Sequence, residues 1–175
     1  MTTSPAMHKY EMSVEMHNGI QISTMLFAER SRIFYALTAA EYIEMWSGGT
    51  FGADCVYCDS DQRSGGHFKL ALTRSRSPLI DISGIIATYV PFDKVHYLWE
   101  HTLFGRAGQS EVTITVRAGK ARTFLKIAHV GALTADEHAF FGSMWQSAVL
   151  WIARSFARNL RQRLLISGPK VIPFS

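Results

Sequence analysis

The clearest pattern in the chain is an alternation of apolar and polar residues along short segments. In residues 95–103, Val95, Tyr97, Trp99 and Leu103 fall on one face of an extended strand together with His101, and the even-numbered positions fall on the other. The same period of two returns several times, with turn residues between the segments. Strands are therefore predicted over residues 20–27, 51–57, 67–73, 79–90, 95–103, 111–117 and 123–130.

The last third of the chain changes to a helical period. Thr134 and Glu137 are spaced as a capping box, in which each side chain satisfies a backbone N–H of the other residue. A long helix is predicted from Thr134 to about Leu164. Its apolar side carries Phe141, Met144, Trp145, Ala148, Ile152 and Phe156.

Two shorter helices are predicted after the first strand. Residues 29–37 have helical composition, and a second capping box, Thr38 to Glu41, predicts a helix that continues through Trp46. The order of elements is strand, two short helices, a meander of strands and a long helix. We expect an α+β protein in which a curved antiparallel sheet of about six or seven strands wraps around the C-terminal helix.

The length of 175 residues favours one domain. We place it at residues 20–166, with a loose N-terminal arm at 1–19 that has room for a short strand, and a tail at 167–175. No segment resembles a signal peptide or approaches the roughly 20 apolar residues that cross a bilayer. These observations predict a cytoplasmic protein without stable membrane insertion.

The charge distribution argues against a nucleic-acid partner. The net charge is only +4, and no acidic residue follows Glu137, whereas Arg154, Arg158, Arg161 and Arg163 do. Basic residues in the last turns of a helix offset the negative end of its dipole. An anionic lipid or an acidic partner is the alternative explanation.

The two cysteines, Cys55 and Cys58, have the spacing of redox and zinc motifs. A structural zinc site takes four ligands, and His67 would add only a third. Residues three apart on a strand point to opposite faces, so we expect structural cysteines rather than a pair. No metal or cofactor is expected.

His101 and His129 share strand faces with apolar residues and are predicted to point inward. A buried imidazole near Asp81 or Glu100 could serve as a general acid or base. A histidine held by a backbone carbonyl or by water is the simpler interpretation. Asp81 itself is expected to face solvent.

Taken in order, these elements resemble a known superfamily. The chain is similar to the START and birch-pollen-allergen proteins, which have the helix-grip fold, and more narrowly to bacterial homologues of the C-terminal domain of the activator of heat-shock-protein-90 ATPase. The matching segments are Ile33 to Leu37 with Thr38, Glu41 and Trp46, then Gly48-Gly49, Tyr97-Leu-Trp99, Ser110 to Ile114, and Thr123 to Gly131 with Leu125, Ile127 and His129.

The resemblance implies a mostly apolar cavity between sheet and long helix, and a non-enzymatic protein that binds a small hydrophobic or amphipathic molecule such as a lipid. The expected wall is formed by Tyr97, Trp99, Leu125, Ile127, Trp145, Ala148 and Ile152, with His101, His129 and Asn159 as polar contacts. An enzyme of the polyketide cyclase or hydrolase type that uses a cavity histidine is one alternative. A co-chaperone-like, stress-associated interaction protein is another, and a homodimer is compatible with each.

Overall fold

In the computed structural model of the protein, eight strands form a single antiparallel sheet that packs on three helices. The model describes residues 12–15, 19–49 and 52–166, except for the side chains of 15 and 157–166. The strands are β1 (Met12–Glu15), β2 (Ile20–Leu26), β3 (Asp54–Ser60), β4 (His67–Arg74), β5 (Ser77–Val90), β6 (Lys94–Leu103), β7 (Arg106–Ala118) and β8 (Thr123–Gly131). The helices are α1 (Arg30–Thr38), α2 (Ala40–Ser47) and α3 (Ala135–Ile166).

The order of strands across the sheet is β1-β2-β8-β7-β6-β5-β4-β3. Strands β3 to β8 form a meander of consecutive neighbours, and β2 joins it beside β8, where Ile22 pairs with Ile127. This is the helix-grip arrangement, and the predicted α+β class is confirmed. Strand β1 is additional to the seven predicted strands and lies within the segment predicted as an arm. It pairs with β2, and Met12 and Val14 pack against the core.

The alternation along β6 and β8 has the predicted sense. Val95, Tyr97, Trp99, His101 and Leu103 are buried on the face of the sheet that meets the helices, which we call the inner face, and the even-numbered residues between them are exposed or partly exposed. The inner faces of the strands and the apolar side of α3 share one continuous core. Burial of this kind is the main favourable term in the stability of such a fold.

One predicted capping box is wrong and the other is confirmed. The Thr38 hydroxyl donates to the carbonyl of Phe34 at 2.9 Å, so Thr38 ends α1, and α2 begins after Ala39 without a side-chain cap. At α3, the Thr134 N–H donates to Glu137 Oε2 at 2.7 Å, and the Glu137 N–H donates to Thr134 Oγ1 at 3.3 Å. The N-terminus of the long helix is therefore fixed by its own sequence.

Candidate functional site between the sheet and the helices

A stack of aromatic rings from four elements fills the centre of the inner face. Phe68 of β4 stacks on Trp99 of β6 with ring centroids 5.3 Å apart, and Trp99 stacks on Trp145 of α3 at 5.8 Å. Tyr97 lies 5.1 Å from Phe68, and Trp46 of α2 lies 5.8 Å from Trp145. The stack joins sheet and helices because successive inward positions of β6 carry large rings.

The described residues leave little open space around this stack. The enclosed cavity there has a volume of about 10 Å³. It is lined by Leu37, Ile43, Trp46, Phe68, Leu70, Tyr97, Trp99, Met144 and Trp145. A single water needs about that much room, whereas ligand pockets hold roughly 300–1,000 Å³. The apolar cavity predicted between the sheet and the long helix is not confirmed.

Among the described residues, two polar atoms of the stack are buried without a well-formed hydrogen bond: the Trp99 Nε1–H and the Tyr97 hydroxyl. Burial raises the pKa of Tyr97, and hydrogen bonding by the nearby Ser60 side chain lowers it by less, so the hydroxyl keeps its proton. Buried polar groups in native proteins nearly always have partners, and an unmade hydrogen bond costs about 1–3 kcal/mol. Trp99 Nε1–H has no acceptor among the described residues, whereas the Tyr97 hydroxyl lies near the Ser60 side chain.

His129, at the end of β8, is in contrast fully bonded. The Trp145 Nε1–H donates to its Nδ1 at 3.1 Å, which places the imidazole proton on Nε2, and Nε2 lies 2.8 Å from the Ser110 hydroxyl. Burial first, and then the nearby His101 and His138, lower the pKa of His129 to about 3. The ring is therefore neutral at physiological pH and connects β7, β8 and α3.

His101 forms a second inward contact, with a carboxylate of α3. Its Nε2 lies 3.1 Å from Glu137 Oε1, and the side chains of both residues are almost completely buried. Burial raises the pKa of Glu137, but the Thr134 backbone N–H and the His101 ring outweigh it and hold this pKa below its ordinary value. One carboxylate oxygen closes the capping box while the other binds the sheet.

Gly108 leaves the room that this contact requires. A Cβ at position 108 would lie 2.6 Å from His101 Nε2 and 3.1 Å from Glu137 Oε1. His101 Nδ1 has no hydrogen-bond partner, and the pair does not line the small cavity. The arrangement has the acid–base composition expected of a catalytic histidine, but its position suits the anchoring of α3.

The ten predicted ligand-binding residues divide into three groups. Tyr97, Trp99 and Trp145 line the small cavity. The buried residues Leu125, Ile127, Ala148, Ile152, His101 and His129 lie elsewhere in the core. The side chain of Asn159 lies outside the described residues.

Sequence reasoning missed the carboxylate that His101 meets. Asp81 and Glu100, the two candidates, are both exposed, and the solvent-facing position expected for Asp81 is confirmed. Glu137 lies on another element, 36 positions along the chain from His101. The sequence feature that could have identified Glu137 is its place in the capping box. A glutamate that caps a helix uses one carboxylate oxygen for the cap and has the other available for a second contact.

The predicted facing of the two cysteines is wrong. A β-bulge at Val56 shifts the register, so that Cys55 pairs with Leu72 and Cys58 with Leu70, both of which are buried on the inner face. Both thiols are free, and burial raises the pKa of each. His67 points to the opposite face of the sheet, where its Nε2 lies 2.6 Å from Asp59.

Neither a metal-binding cluster nor a membrane-spanning helix is present in the part of the chain that the structure describes. No group of three or more His, Cys, Asp or Glu side chains there is arranged to hold a metal ion. No helix there, α3 included, is long and apolar enough to cross a membrane.

Comparison with known proteins decides the family. The model of the family described as "Activator of Hsp90 ATPase homolog 1-like protein" matches residues 28–154. The chain belongs to this family. The match runs from just before α1 into α3, so it includes the aromatic stack and both inward histidines. Among curated proteins, none matches the sequence.

Solved structures share the fold of this family member at low sequence identity. Protein CV1439 from Chromobacterium violaceum is 22% identical over 79% of this chain and 96% of its own, with a TM-score of 0.67. A protein from Rhodobacter sphaeroides is 15% identical over 85% and 99%, with a TM-score of 0.70. CalU16 from Micromonospora echinospora is 18% identical over 85% and 83%, with a TM-score of 0.56.

Proposed function

We propose that the protein binds a small, mostly apolar ligand with at least one hydrogen-bond acceptor, between the inner face of the sheet and helices α2 and α3. The observation that carries this proposal is the buried Trp99 Nε1–H, which has no acceptor among the described residues and belongs to a residue that lines the small cavity. A ketone, ester or carboxyl oxygen would supply the acceptor that Trp99 lacks.

The aromatic lining supports the class of ligand. Phe68, Trp99 and Trp145 offer flat apolar surfaces, and Met144, which is unbranched and adaptable, faces them from α3. The resemblance to helix-grip proteins implies a ligand site between the sheet and the long helix. Membership of the family is consistent with that location. The proposed ligand contacts therefore include Tyr97, Trp99 and Trp145, which the sequence predicted. They also include Trp46, Phe68 and Met144, which line the same cavity.

Binding at this position requires a conformational change, because a cavity of about 10 Å³ cannot hold a ligand. Helix α2 is the element whose displacement would enlarge it, since α2 contributes Ile43 and Trp46 to the lining. Trp46 is tied to α1 through a 2.8 Å bond from its Nε1 to the Ala36 carbonyl, so the two short helices would move together. The apparent dissociation constant is then the intrinsic dissociation constant divided by the fraction of molecules that are open, so the apparent affinity is lower.

A matched pair of ligands tests the proposal. We expect 2-acetylnaphthalene, which carries a carbonyl oxygen, to raise Tm and quench tryptophan fluorescence at roughly tenfold lower concentration than 2-ethylnaphthalene, which has almost the same shape. Trp99→Phe should reduce this preference. Trp151→Phe is the control, because Trp151 is only partly buried and does not line the cavity.

Equal binding of the two naphthalenes by the natural chain would contradict the role of the Trp99 donor. Absence of any Tm increase, with these two compounds and with a panel of fatty acids and sterols, would contradict ligand binding at this site.

The enzymatic alternative receives less support from the geometry. His101 meets the requirement of an inward histidine beside a carboxylate, yet it is not among the described residues that line the cavity. A substrate must reach within hydrogen-bond distance of a general base. We therefore propose binding rather than catalysis, and a lipid-like ligand in the cytoplasm stays a prediction.

A further inference from the structure

A groove lies on the outer face of the sheet, away from the helices. Its volume is about 660 Å³, compared with about 10 Å³ for the inner cavity. It is lined by Ser83, Gly84, Ile85, Leu98, Trp99, Glu100, Gln109, Ser110, Glu111, Val130 and Gly131. This volume lies within the range of small-molecule sites.

The register of the sheet explains the shape of this groove. Gly84, Trp99, Ser110 and Gly131 pair in sequence across β5, β6, β7 and β8, and they form its floor with their backbone. Trp99 and Ser110 turn their side chains inward. The floor therefore runs across four strands, about 14 Å at roughly 4.8 Å for each of the three strand spacings.

The two walls of the groove differ in chemistry. One row consists of Ile85, Leu98 and Val130, interrupted by Glu111. The three apolar side chains are 54%, 42% and 44% exposed, which is unusual for large aliphatic residues placed side by side. The opposite row consists of Ser83, Glu100 and Gln109. The groove is thus apolar along one side and polar along the other.

The charge in the groove is negative. Among the residues that the structure describes, Glu111 contacts only His96, whose Nε2 lies 3.0 Å from Glu111 Oε2, and Glu100 accepts a 3.4 Å bond from Gln109. Within the described residues, no lysine or arginine forms an ion pair with either carboxylate. The protein as a whole carries a net charge of +4, so this local negative charge is contrary to the overall balance.

We propose that this outer groove binds a small, elongated amphipathic cation, with its apolar body along Ile85 and Leu98 and its ammonium group at Glu100 and Glu111. A peptide strand cannot add to the sheet here, because β5 to β8 all have neighbours on both sides. The site lies on the other face from the proposed inner ligand and is independent of it.

Three ligands with the same octyl chain test the charge requirement. We expect titration calorimetry to show binding of octylammonium, about tenfold weaker binding of octanol, and no binding of octanoate. Overall charge alone would give the reverse order for the two ions. Amide chemical shifts in β5 to β8 should locate the bound octylammonium.

Variants on the surface test the location. Glu100→Gln and Glu111→Gln should each weaken octylammonium binding about threefold, which is the scale of an exposed charge contact. Leu98→Ser should weaken octylammonium and octanol alike. Asp81→Asn, an exposed acid outside the groove on β5, is the control and should change neither.

Three results would overturn the proposal: equal binding of all three ligands, insensitivity to both glutamate variants, or shifts confined to the inner aromatic residues. Dimerisation of the protein through this face without added ligand, detected by light scattering and abolished by Leu98→Ser, would assign the groove to a second copy and overturn it as well.

Discussion

The two faces of the sheet differ in how they use space. On the inner face, rings from β4, β6 and α3 leave a cavity of about 10 Å³, whereas the outer face carries a groove of about 660 Å³. Trp99 belongs to both, since its side chain closes the inner face while its backbone forms part of the outer floor. The difference shows that a fold associated with an internal pocket also offers a ligand-sized surface elsewhere.

The polar groups on the two faces differ as well. The inner histidines are fixed by specific contacts to Ser110, Trp145 and Glu137. The outer histidines His67 and His96 contact Asp59 and Glu111, whose side chains are substantially exposed to solvent. Buried polar contacts are costly to break, while exposed ion pairs contribute about 0–1 kcal/mol. The following predictions test this contrast.

The largest expected effect is a difference in the free energy of unfolding between two isoleucine-to-alanine substitutions, one on each face of β5. Ile82 is completely buried and Ile85 is 54% exposed. We expect Ile82→Ala to lower the free energy of unfolding by about 4 kcal/mol through lost burial and a new cavity. Ile85→Ala should change it by less than about 0.5 kcal/mol. Urea denaturation measures both, and similar losses would contradict the assignment of the faces.

The next largest effect is a loss of stability in acid caused by His129. Its pKa is about 3 in the folded state and 6.5 ordinarily, so below pH 6.5 the unfolded chain binds a proton that the folded chain does not. The free energy of unfolding should fall by roughly 1.4 kcal/mol for each pH unit between about 6 and 4. The lowered pKa of Glu137 acts in the same direction at lower pH.

Two histidine variants separate this effect from the general acid response. His129→Gln should flatten the pH profile of urea denaturation, because the group that titrates is removed. His96→Gln, on the outer face, should retain the slope. A profile that His129→Gln leaves as steep as before would show that the acid sensitivity arises elsewhere.

A smaller effect is expected at the start of α3. Glu137→Ala removes both the capping contact and the bond to His101, and we expect a loss of about 2 kcal/mol in thermal or urea unfolding. Asp136→Ala, at the exposed neighbouring position, should cost about 0.5 kcal/mol through the helix dipole alone. Equal costs at the two positions would mean that the contact with the sheet contributes nothing.

The smallest effect is expected at Tyr97. Because its buried hydroxyl makes no well-formed hydrogen bond among the described residues, Tyr97→Phe should leave the free energy of unfolding within about 0.5 kcal/mol or raise it. Tyr57→Phe, which removes an exposed 3.2 Å bond to Asp59, is the matched control. A loss above about 1 kcal/mol for Tyr97→Phe would show that the hydroxyl is bonded in solution and would weaken the proposed ligand contact.

The elements that sequence predicted well are those with a long repeated pattern. The five inward positions of β6 and the apolar side of α3 are buried as expected, because period alone fixes which residues share a face. Side-chain contacts between elements that are distant in the sequence leave no repeated pattern along the chain. Glu137 and His101 belong to different elements, and their distance of 3.1 Å depends on where α3 rests.

Local irregularities of the backbone and of side-chain hydrogen bonding also could not be predicted from the apolar and polar pattern of the sequence. The bulge at Val56 turns Cys55 and Cys58 to the same face, although their spacing in a regular strand would separate them. Thr38 has the spacing of a cap but bonds to Phe34 instead, since its hydroxyl lies one turn after that carbonyl within α1. In each case the neighbouring element selected between two local arrangements that the sequence permits.

By itself, the sequence determined the α+β class, the inner face of the sheet, the start of α3 and the family resemblance. These follow from short-range chemistry: alternation, helical period and a capping box. Only the tertiary structure decided how much space remains on each side of Trp99, because a cavity depends on how side chains from distant elements interdigitate. It placed a closed aromatic stack inside and an acidic, apolar groove outside.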